Sequence, residues 1–225
     1  MRVIDLTLPL PADENGGVVL RTEHWRITAA RSPYTAVVHS FQHGSMAGTY
    51  LDLPTHIVET ADGSDAANYP AARLYRVPAG VIHLDRQSGS GAISPAELAA
   101  AAPPLSGVKG LVVNALGARR FDAIRERSVW LTRDAVQWIV DRGVDLLVAD
   151  VYESNSDPQD VFPLLFAARV ATVCYPVELH RLDQPQAWIT ALPLRVPGAT
   201  QIPCRVVAEL NDAEGTPPHG MPCCR

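Results

Sequence analysis

The segment 46–56, MAGTYLDLPTH, combines a backbone turn with two ionisable side chains four positions apart. Pro54 lies between Asp52 and His56, and its fixed φ and missing N–H prevent a regular helix at this point. A loop beside an apolar strand commonly carries function, because the rigid scaffold positions the reactive groups. We therefore predict a shaped loop that directs Asp52 and His56 into a common space.

The same segment resembles the signature of the cyclase superfamily, which includes bacterial kynurenine formamidase and isatin hydrolase. The signature runs His-x-Gly-Thr-His-x-Asp-x-Pro-x-His. The residues that stand in register with it are Gly48, Thr49, Asp52, Pro54 and His56. Met46 and Tyr50 stand where the family has its first two histidines, which are metal ligands there.

The resemblance extends over most of the chain. It includes residues 1–7, 61–65, 130–150, 192–196 and 203–208. It implies an α/β fold, a swivelling β/β/α domain with a mixed sheet and flanking helices, assembled as a homodimer or homotetramer.

The resemblance also implies a chemistry. In the family, zinc or manganese held by these ligands polarises the substrate carbonyl and activates water, and the last signature histidine acts as the base. Here Asp52 is the retained ligand of the first loop and His56 the candidate base, while the later ligand positions fall near Val161 and Tyr175. Tight zinc sites use three or four protein ligands. We therefore expect no family-like metal centre; if any ion binds, Asp52 with His56 or His43 would hold it.

Two histidines of a predicted strand could add ligands. The period-2 alternation of a strand places His39 and His43 on one face. The alternative is a strand face that is packed or hydrogen-bonded in a subunit interface.

Without a metal, proton transfer has to supply the catalysis. A bound metal lowers the pKa of water from about 15.7 to about 7, whereas general acid–base catalysis contributes roughly 10²- to 10⁴-fold. We predict that His56 is the general base, that Asp52 orients it, and that Tyr50 donates a hydrogen bond to a carbonyl oxygen. The alternatives are that Asp52 caps backbone N–H groups and that Tyr50 is a buried aromatic residue.

The predicted substrate site contains three further residues. Tyr175 would be a second hydrogen-bond donor, and Met46 stands at the first signature position. Asp150 follows a predicted strand, at the carboxyl end where ligands of α/β sheets sit. A solvated loop explains its neighbours Glu153, Ser154 and Asp157.

Composition limits the class of protein. The chain has 225 residues, 47% of them hydrophobic, and a formal net charge of −5. One core is expected from this length, so we predict a single catalytic domain over 1–214 and a flexible tail over 215–225. The sequence lacks the clustered Lys and Arg of nucleic-acid-binding proteins, an apolar run near the roughly 20 residues that cross a bilayer, and a signal peptide. We expect a cytoplasmic protein.

The cysteines are Cys174, Cys204, Cys223 and Cys224. Their spacing fits neither a disulfide framework nor a zinc knuckle. Cys174 and Cys204 lie in apolar runs and are expected in the core, whereas Cys223 and Cys224 end the tail.

Apolar runs predict a mixed α and β structure. The predicted strands are 2–6, 25–30, 34–43, 79–84, 110–114, 144–149, 171–175 and 205–210. One helix is predicted to begin after the N-cap Ser94 and to end before Pro103. A second begins after the N-cap Thr132, places Val136 on its apolar face, and stops at Gly143.

Three functions remain open. The one we favour is hydrolysis of a carbon–nitrogen bond (amide, lactam or formamide-like) in a small aromatic or cyclic substrate, as the resemblance implies. The second is a metal-independent lyase, isomerase or cyclase reaction using His56, Asp52 and Tyr50, and the lost metal ligands favour it. The third is a non-catalytic, small-molecule-binding descendant, against which the retained Asp-x-Pro-x-His segment speaks.

Overall fold

The computed structural model describes residues 1–10, 18–29, 31–84, 86, 89–119 and 128–211. The strands are β1 (Arg2–Asp5), β2 (Val19–Ile27), β3 (Tyr34–Gln42), β4 (Tyr50–Asp52), β5 (Val77–His83), β6 (Gly91–Ile93), β7 (Gly110–Asn114), β8 (Val129–Leu131), β9 (Leu146–Ala149), β10 (Ala171–Cys174), β11 (Gln186–Pro193) and β12 (Gln201–Leu210). The α-helices are α1 (Pro95–Ala101), α2 (Arg133–Val140) and α3 (Val161–Ala167).

The main sheet closes on itself. Its strands follow the order β12-β11-β5-β7-β9-β10-β4, and β4 pairs with both β10 and β12, which completes the ring. The β5, β7, β9 and β10 strands run parallel to one another, and the remaining pairs are antiparallel. β1 extends the sheet along the C-terminal half of β12. The predicted α/β fold with a mixed sheet and flanking helices is confirmed.

Two apolar clusters lie on the two faces of this sheet. Within β7, Leu111 and Val113 belong to one cluster and Val112 to the other, as strand alternation requires. The first cluster also contains buried residues of all three helices, including Leu98 and Phe166. The helices therefore cover one face, and the opposite cluster fills the interior of the closed sheet.

Both predicted helix starts are confirmed by their caps. The hydroxyl of Ser94 accepts a hydrogen bond from the N–H of Glu97 at 3.3 Å, and that of Thr132 accepts from Ala135 at 3.1 Å. These bonds satisfy N–H groups that a helix start leaves free. Gly143, just beyond α2, has a φ of +62°, a conformation that glycine adopts without strain.

The prediction of a loop over 46–56 is wrong in part. Its centre is β4, and a 3₁₀ turn at Pro54–His56 follows it. β4 has three residues and is stabilised by pairing on both edges, and local sequence does not reveal such long-range pairing.

Other elements were not predicted. β6 and β8 have three residues each, and β11 alternates buried Ala187, Ile189 and Ala191 with exposed positions. α3 contains Pro163 in its first turn, where proline is tolerated because no intrahelical partner is lost. β2 begins at Val19 and β12 at Gln201, both earlier than predicted.

The β2 and β3 strands form a hairpin of their own. Nine residue pairs join them in register, from Val19 with Gln42 to Ile27 with Tyr34. Most of the hairpin is exposed on both faces, including large apolar side chains such as Val37 and Phe41. No helix in the described part of the chain has the length and apolar character needed to cross a membrane. The predicted tail 215–225, with Cys223 and Cys224, lies outside the described residues.

Candidate active site

Strand register brings five side chains together on one face. Asp52 of β4 lies opposite Thr172 of β10 and Gln201 of β12, and Tyr50 lies opposite Cys174. Residues two apart in a strand point to the same face. Because Tyr50 and Cys174 pack in the helix-side cluster, this group belongs to the helix-covered face of the sheet.

A cavity of about 300 Å³ opens beside this group. The six predicted site residues all line it: Met46, Tyr50, Asp52, His56, Asp150 and Tyr175. Residues that sequence reasoning did not place in the site also line it, among them Cys174, Gln201, Glu153 and Phe162. The structure thus gathers residues from β4, β9, β10, β12 and α3 around one space.

The Gly-Thr pair of the signature fixes the start of β4. Gly48 has a φ of +61°, and a Cβ there would lie 2.6 Å from Cδ2 of Leu10 and 3.0 Å from the carbonyl oxygen of Leu8. The Thr49 hydroxyl accepts from the N–H of Leu8 and donates to the carbonyl oxygen of Tyr175, both at 2.7 Å. The pair therefore ties β4 to the N-terminal strand region and to the end of β10.

Asp52 is 3% exposed. Its Oδ2 atom accepts a hydrogen bond from the Cys174 thiol at 3.6 Å, while no hydrogen bond reaches its Oδ1 atom from the described residues. Burial raises the pKa of this carboxyl, and the nearby Gln201 amide, His56 and the thiol oppose the rise. Burial also raises the pKa of Cys174 well above its ordinary value, so the thiol remains protonated and acts as a donor.

His56 is exposed at one side of the cavity. Its ring meets Phe166 edge-on at 6.4 Å, and its Nε2 atom lies 3.3 Å from Nε2 of Gln201. The Ser45 hydroxyl donates to Oε1 of Gln201 at 2.7 Å, which directs the amide N–H₂ group at the imidazole. An amide nitrogen can only donate, so this network assigns an unprotonated Nε2 to neutral His56, with the proton on Nδ1.

Two tyrosines form a wall of the cavity. The rings of Tyr50 and Tyr175 pack edge to face, with centroids 5.4 Å apart. Burial, together with the neighbouring Cys174 and Asp52, raises the pKa of Tyr50, so its hydroxyl keeps its proton. Tyr175 has a φ of +55°, a left-handed conformation that costs a non-glycine residue roughly 1–2 kcal/mol. Strained residues of this kind cluster at functional sites.

Asp150 also lines the cavity, but its carboxyl oxygens accept hydrogen bonds from residues at the end of β7 and just after it. Its oxygens accept from the N–H groups of Ala115 and Leu116 at 2.8 and 2.9 Å and from Nδ2 of Asn114 at 2.8 Å. Burial raises its pKa, and these hydrogen bonds oppose the rise. Asp150 therefore holds the loop that follows β7.

The solvated loop expected around Glu153, Ser154 and Asp157 is wrong for the first two residues, whereas Asp157 is exposed. Ser154 is 2% exposed. The Glu153 carboxylate accepts three backbone hydrogen bonds at 2.6 to 3.2 Å from the segment that leads into α3. These two residues shape the segment between β9 and α3.

The side chains at the family's metal-ligand positions do not suit zinc or manganese. Asp52 is the one ordinary ligand among them; the others are Met46, Tyr50 and Tyr175 at the cavity and Val161 in the core. The Tyr50 hydroxyl, whose pKa burial raises, stays protonated and is a poor ligand for such ions, and so is the aliphatic side chain of Val161. No group of three His, Cys, Asp or Glu side chains in the described ranges could hold a metal ion.

His39 and His43 do not complete this set of ligands. Nδ1 of His39 lies 3.0 Å from the Thr22 hydroxyl of the neighbouring strand, and Nδ1 of His43 lies 3.0 Å from the carbonyl oxygen of Gly44. Neither histidine lines the cavity. His43 therefore does not join Asp52 in this structure.

Cys174 and Gln201 are the missed residues that contact the predicted catalytic side chains. Cys174 is buried, as predicted from its apolar run, but its pairing with Tyr50 also brings its thiol to Asp52. Gln201 lies before the segment predicted as the last strand. The signal that would have found both is the pairing of β4 with β10 and β12.

The closed mixed sheet and its cavity define a β/β/α domain with a pocket suited to a small molecule. The family model Cyclase, described as "Putative cyclase", matches residues 4–155. The chain belongs to this family. No curated protein matches the sequence.

Solved structures of similar fold come from several bacteria. Isatin hydrolase A from Ralstonia solanacearum is 22% identical, with a TM-score of 0.67 over 92% of this chain and 91% of that one. Isatin hydrolase A from Labrenzia aggregata is 20% identical, with a TM-score of 0.67 over 92% and 93%. A protein described as a predicted metal-dependent hydrolase from Bacillus stearothermophilus is 18% identical, with a TM-score of 0.63 over 92% and 97%. At these sequence identities, the similarity shows a shared fold only.

Proposed function

We propose that this protein is a hydrolase that cleaves a carbon–nitrogen bond of an amide, lactam or formamide-like kind in a small molecule, without a family-like metal centre. The observation that carries the proposal is the meeting of His56, Asp52 and Tyr50 around one cavity of about 300 Å³. Family membership and the similar fold of the isatin hydrolases support the reaction class.

The proposed reaction begins at His56. Water displaces the Gln201 amide from the unprotonated Nε2, which then takes a proton from this water as the water oxygen bonds to the substrate carbonyl carbon. The Tyr50 hydroxyl donates a hydrogen bond to the carbonyl oxygen, which gains negative charge. Breakage of the carbon–nitrogen bond follows, and the proton on His56 passes to the departing nitrogen. Asp52 favours the transient imidazolium through its negative charge.

Gln201 would adjust to the two states of His56. When Nε2 is protonated, it can no longer accept from the amide N–H₂ group. Rotation of the amide by half a turn would present Oε1 to the imidazolium, and the Ser45 hydroxyl can then accept instead of donate.

A metal-independent lyase, isomerase or cyclase reaction is the second candidate. The substitution of the family's ligand positions by Met46, Tyr50 and Tyr175 favours it, because proton transfer between carbon and oxygen needs less assistance than amide hydrolysis. Incorporation of oxygen from ¹⁸O-labelled water into the product distinguishes the two reactions, since hydrolysis alone adds a water oxygen. A non-catalytic binding protein would give neither product.

The test uses purified protein with a set of N-aryl formamides and small lactams, and product is measured by mass spectrometry. His56→Ala should lower the rate by about 10²-fold or more, and His39→Ala, a matched change in the exposed hairpin, should leave it unchanged. Full activity of His56→Ala would contradict the scheme. Stoichiometric zinc or manganese in the purified protein, with activity lost to a chelator, would contradict the absence of a metal centre.

We also propose that the chain forms a homodimer or homotetramer through the β2–β3 hairpin. An isolated two-stranded hairpin is marginal in water, and this hairpin exposes apolar side chains on both faces, among them Leu20, Trp25, Val37 and Phe41. Light scattering should give a multiple of 24.3 kDa. Val37→Asp with Phe41→Asp should shift the protein toward the monomer, and a monomeric parent protein would contradict the proposal.

A further inference from the structure

The Oδ1 atom of Asp52 is a buried acceptor without a donor. Asp52 is 97% buried, and its second oxygen already has the Cys174 thiol as a partner. The Gln201 amide is close enough to lower the pKa of the carboxyl, yet no described group completes a hydrogen bond to Oδ1. Buried polar atoms in proteins nearly always have a partner. The cavity that Asp52 lines is the space from which a ligand could supply one.

The charges around this cavity favour a cation. Among the described residues, the carboxylates that line it are Asp52, Asp150 and Glu153, and none of the described lining residues is Lys or Arg. Asp150 and Glu153 are engaged by N–H donors of the chain, which leaves Asp52 as the carboxylate open to a ligand. An anionic ligand would face these carboxylates, and His56 is the basic side chain among the described lining residues, so binding of an anion is disfavoured.

The aromatic side chains that line the cavity add a preference for ligands that contain a ring. Tyr50 and Tyr175 pack edge to face, and Phe162 stacks with Tyr152 at 5.2 Å between centroids. Aromatic rings attract cations through their faces and also accept flat apolar groups. The volume of about 300 Å³ lies at the lower end for ligand pockets, so it suits a molecule of about one or two rings.

We propose that the cavity recognises a small, ring-containing amine in its protonated form, with an ammonium N–H directed at Oδ1 of Asp52. The positive charge that a metal ion would bring to this carboxylate is brought instead by the ligand. This inference rests on the proposed function in that the ammonium group would belong to its substrate, at a position separate from the bond that is cleaved.

Three probes of similar size and shape test the charge preference: benzylamine, benzyl alcohol and benzoate. Isothermal titration calorimetry at pH 7 measures each dissociation constant on the full chain. Hydrogen bonds to charged groups and cation–aromatic contacts together predict that benzylamine binds about ten- to a hundredfold more tightly than benzyl alcohol, and that benzoate binds most weakly. Equal affinity for the amine and the alcohol, or tighter binding of benzoate, would overturn the proposal.

Matched variants assign the effect to Asp52. Asp52→Asn, nearly identical in shape, should remove the preference for benzylamine over benzyl alcohol. Asp157→Asn makes the same change in net charge on an exposed loop and should preserve it. Circular dichroism melting establishes that both variants fold, and if Asp52→Asn is unfolded, Asp52→Glu replaces it with the expectation of an altered amine affinity. A preference that survives both changes at position 52 would refute the assignment.

The two proposals fail in distinguishable ways. These probes contain no bond that the enzyme could hydrolyse, so they report on recognition alone. Selective amine binding without turnover of any carbon–nitrogen compound would support the cation site and contradict the hydrolase. Turnover of neutral or anionic compounds without amine selectivity would do the reverse.

Discussion

Asp52 and Asp150 are two buried carboxyls at one cavity, and they differ in what surrounds their oxygens. Asp150 is 6% exposed and accepts from three donors of the loop after β7. Asp52 is 3% exposed, has a weak thiol donor on one oxygen and none from the described residues on the other. Burial raises the pKa of both. Burial alone therefore does not identify a functional acid, whereas an incomplete set of donors separates a candidate binding group from a structural one.

Removal of the Asp150 carboxyl is the strongest test of this comparison. Asp150→Ala leaves the N–H groups of Ala115 and Leu116 without their acceptor and removes one of the two acceptors of the Asn114 amide, so the free energy of unfolding should fall by about 3 kcal/mol or more. Urea denaturation measures the change. Asn155→Ala, on the exposed loop beyond, should stay within about 0.5 kcal/mol. A loss below about 1 kcal/mol would mean that Asp150 does not hold the loop.

The segment that leads into Asp52 should be rigid, even though Oδ1 of Asp52 has no hydrogen-bond donor among the described residues. Gly48→Ala places a methyl group 2.6 Å from Cδ2 of Leu10 at a φ of +61°, and should lower the unfolding free energy by about 2 kcal/mol. Gly44→Ala has no atom within 4 Å of the new methyl group and is the matched control. Equal stability of the two variants would indicate a loose loop, and the unpaired Oδ1 of Asp52 would then reflect poor packing.

Asp62 extends the comparison to a carboxylate whose pKa is lowered, rather than raised, in the folded chain. Burial raises its pKa, but hydrogen bonds from Ser64 and Thr55 and the charge of Arg169 outweigh this and lower it to about 2. A pKa that is lower in the folded than in the unfolded state stabilises the fold above the unfolded value, and this contribution disappears as pH falls toward the folded value. Asp62→Asn should therefore cost about 1–2 kcal/mol at pH 7, after allowance for solvent screening.

The pH dependence gives the sign of that effect. The stability difference between Asp62→Asn and the parent protein should shrink between about pH 4 and pH 2. Urea denaturation at a series of pH values measures it, with Asp157→Asn as the control that shows no such trend. A difference that grows on acidification would mean that the hydrogen-bonded carboxylate is not the stabilising form.

The sequence predicted the parts of the site that are close together in the chain. Asp52 and His56 were found from one short segment, and the caps of α1 and α2 from local patterns. The contacts of Cys174 with Asp52 and of Gln201 with His56 join residues 122 and 145 positions apart. Both contacts depend on the pairing of a three-residue strand, which leaves no periodic pattern to detect.

The prediction of Asp150 illustrates a second limit. Its position after an apolar strand placed it correctly at the cavity. Its partners are backbone N–H groups of a loop that starts 35 positions earlier, and a sequence cannot tell which acceptor those groups will find. Position along a strand thus predicted where this carboxyl lies, while the available hydrogen-bond donors decide what it does.

Among the four substitutions, the smallest change in stability is expected for Asp52→Asn. This variant is also the one that tests function most directly. Asp52→Asn keeps an oxygen for the Cys174 thiol and removes a charge that burial disfavours, so the unfolding free energy should stay within about 1 kcal/mol or rise slightly. Binding of benzylamine should nevertheless weaken about tenfold or more. A structural carboxylate would lose stability and binding together, as Asp150→Ala should. A loss of more than about 2 kcal/mol of unfolding free energy in Asp52→Asn would therefore mean that Asp52, like Asp150, has a structural role. Such a loss would show that Oδ1 of Asp52 has a hydrogen-bond partner within the folded chain.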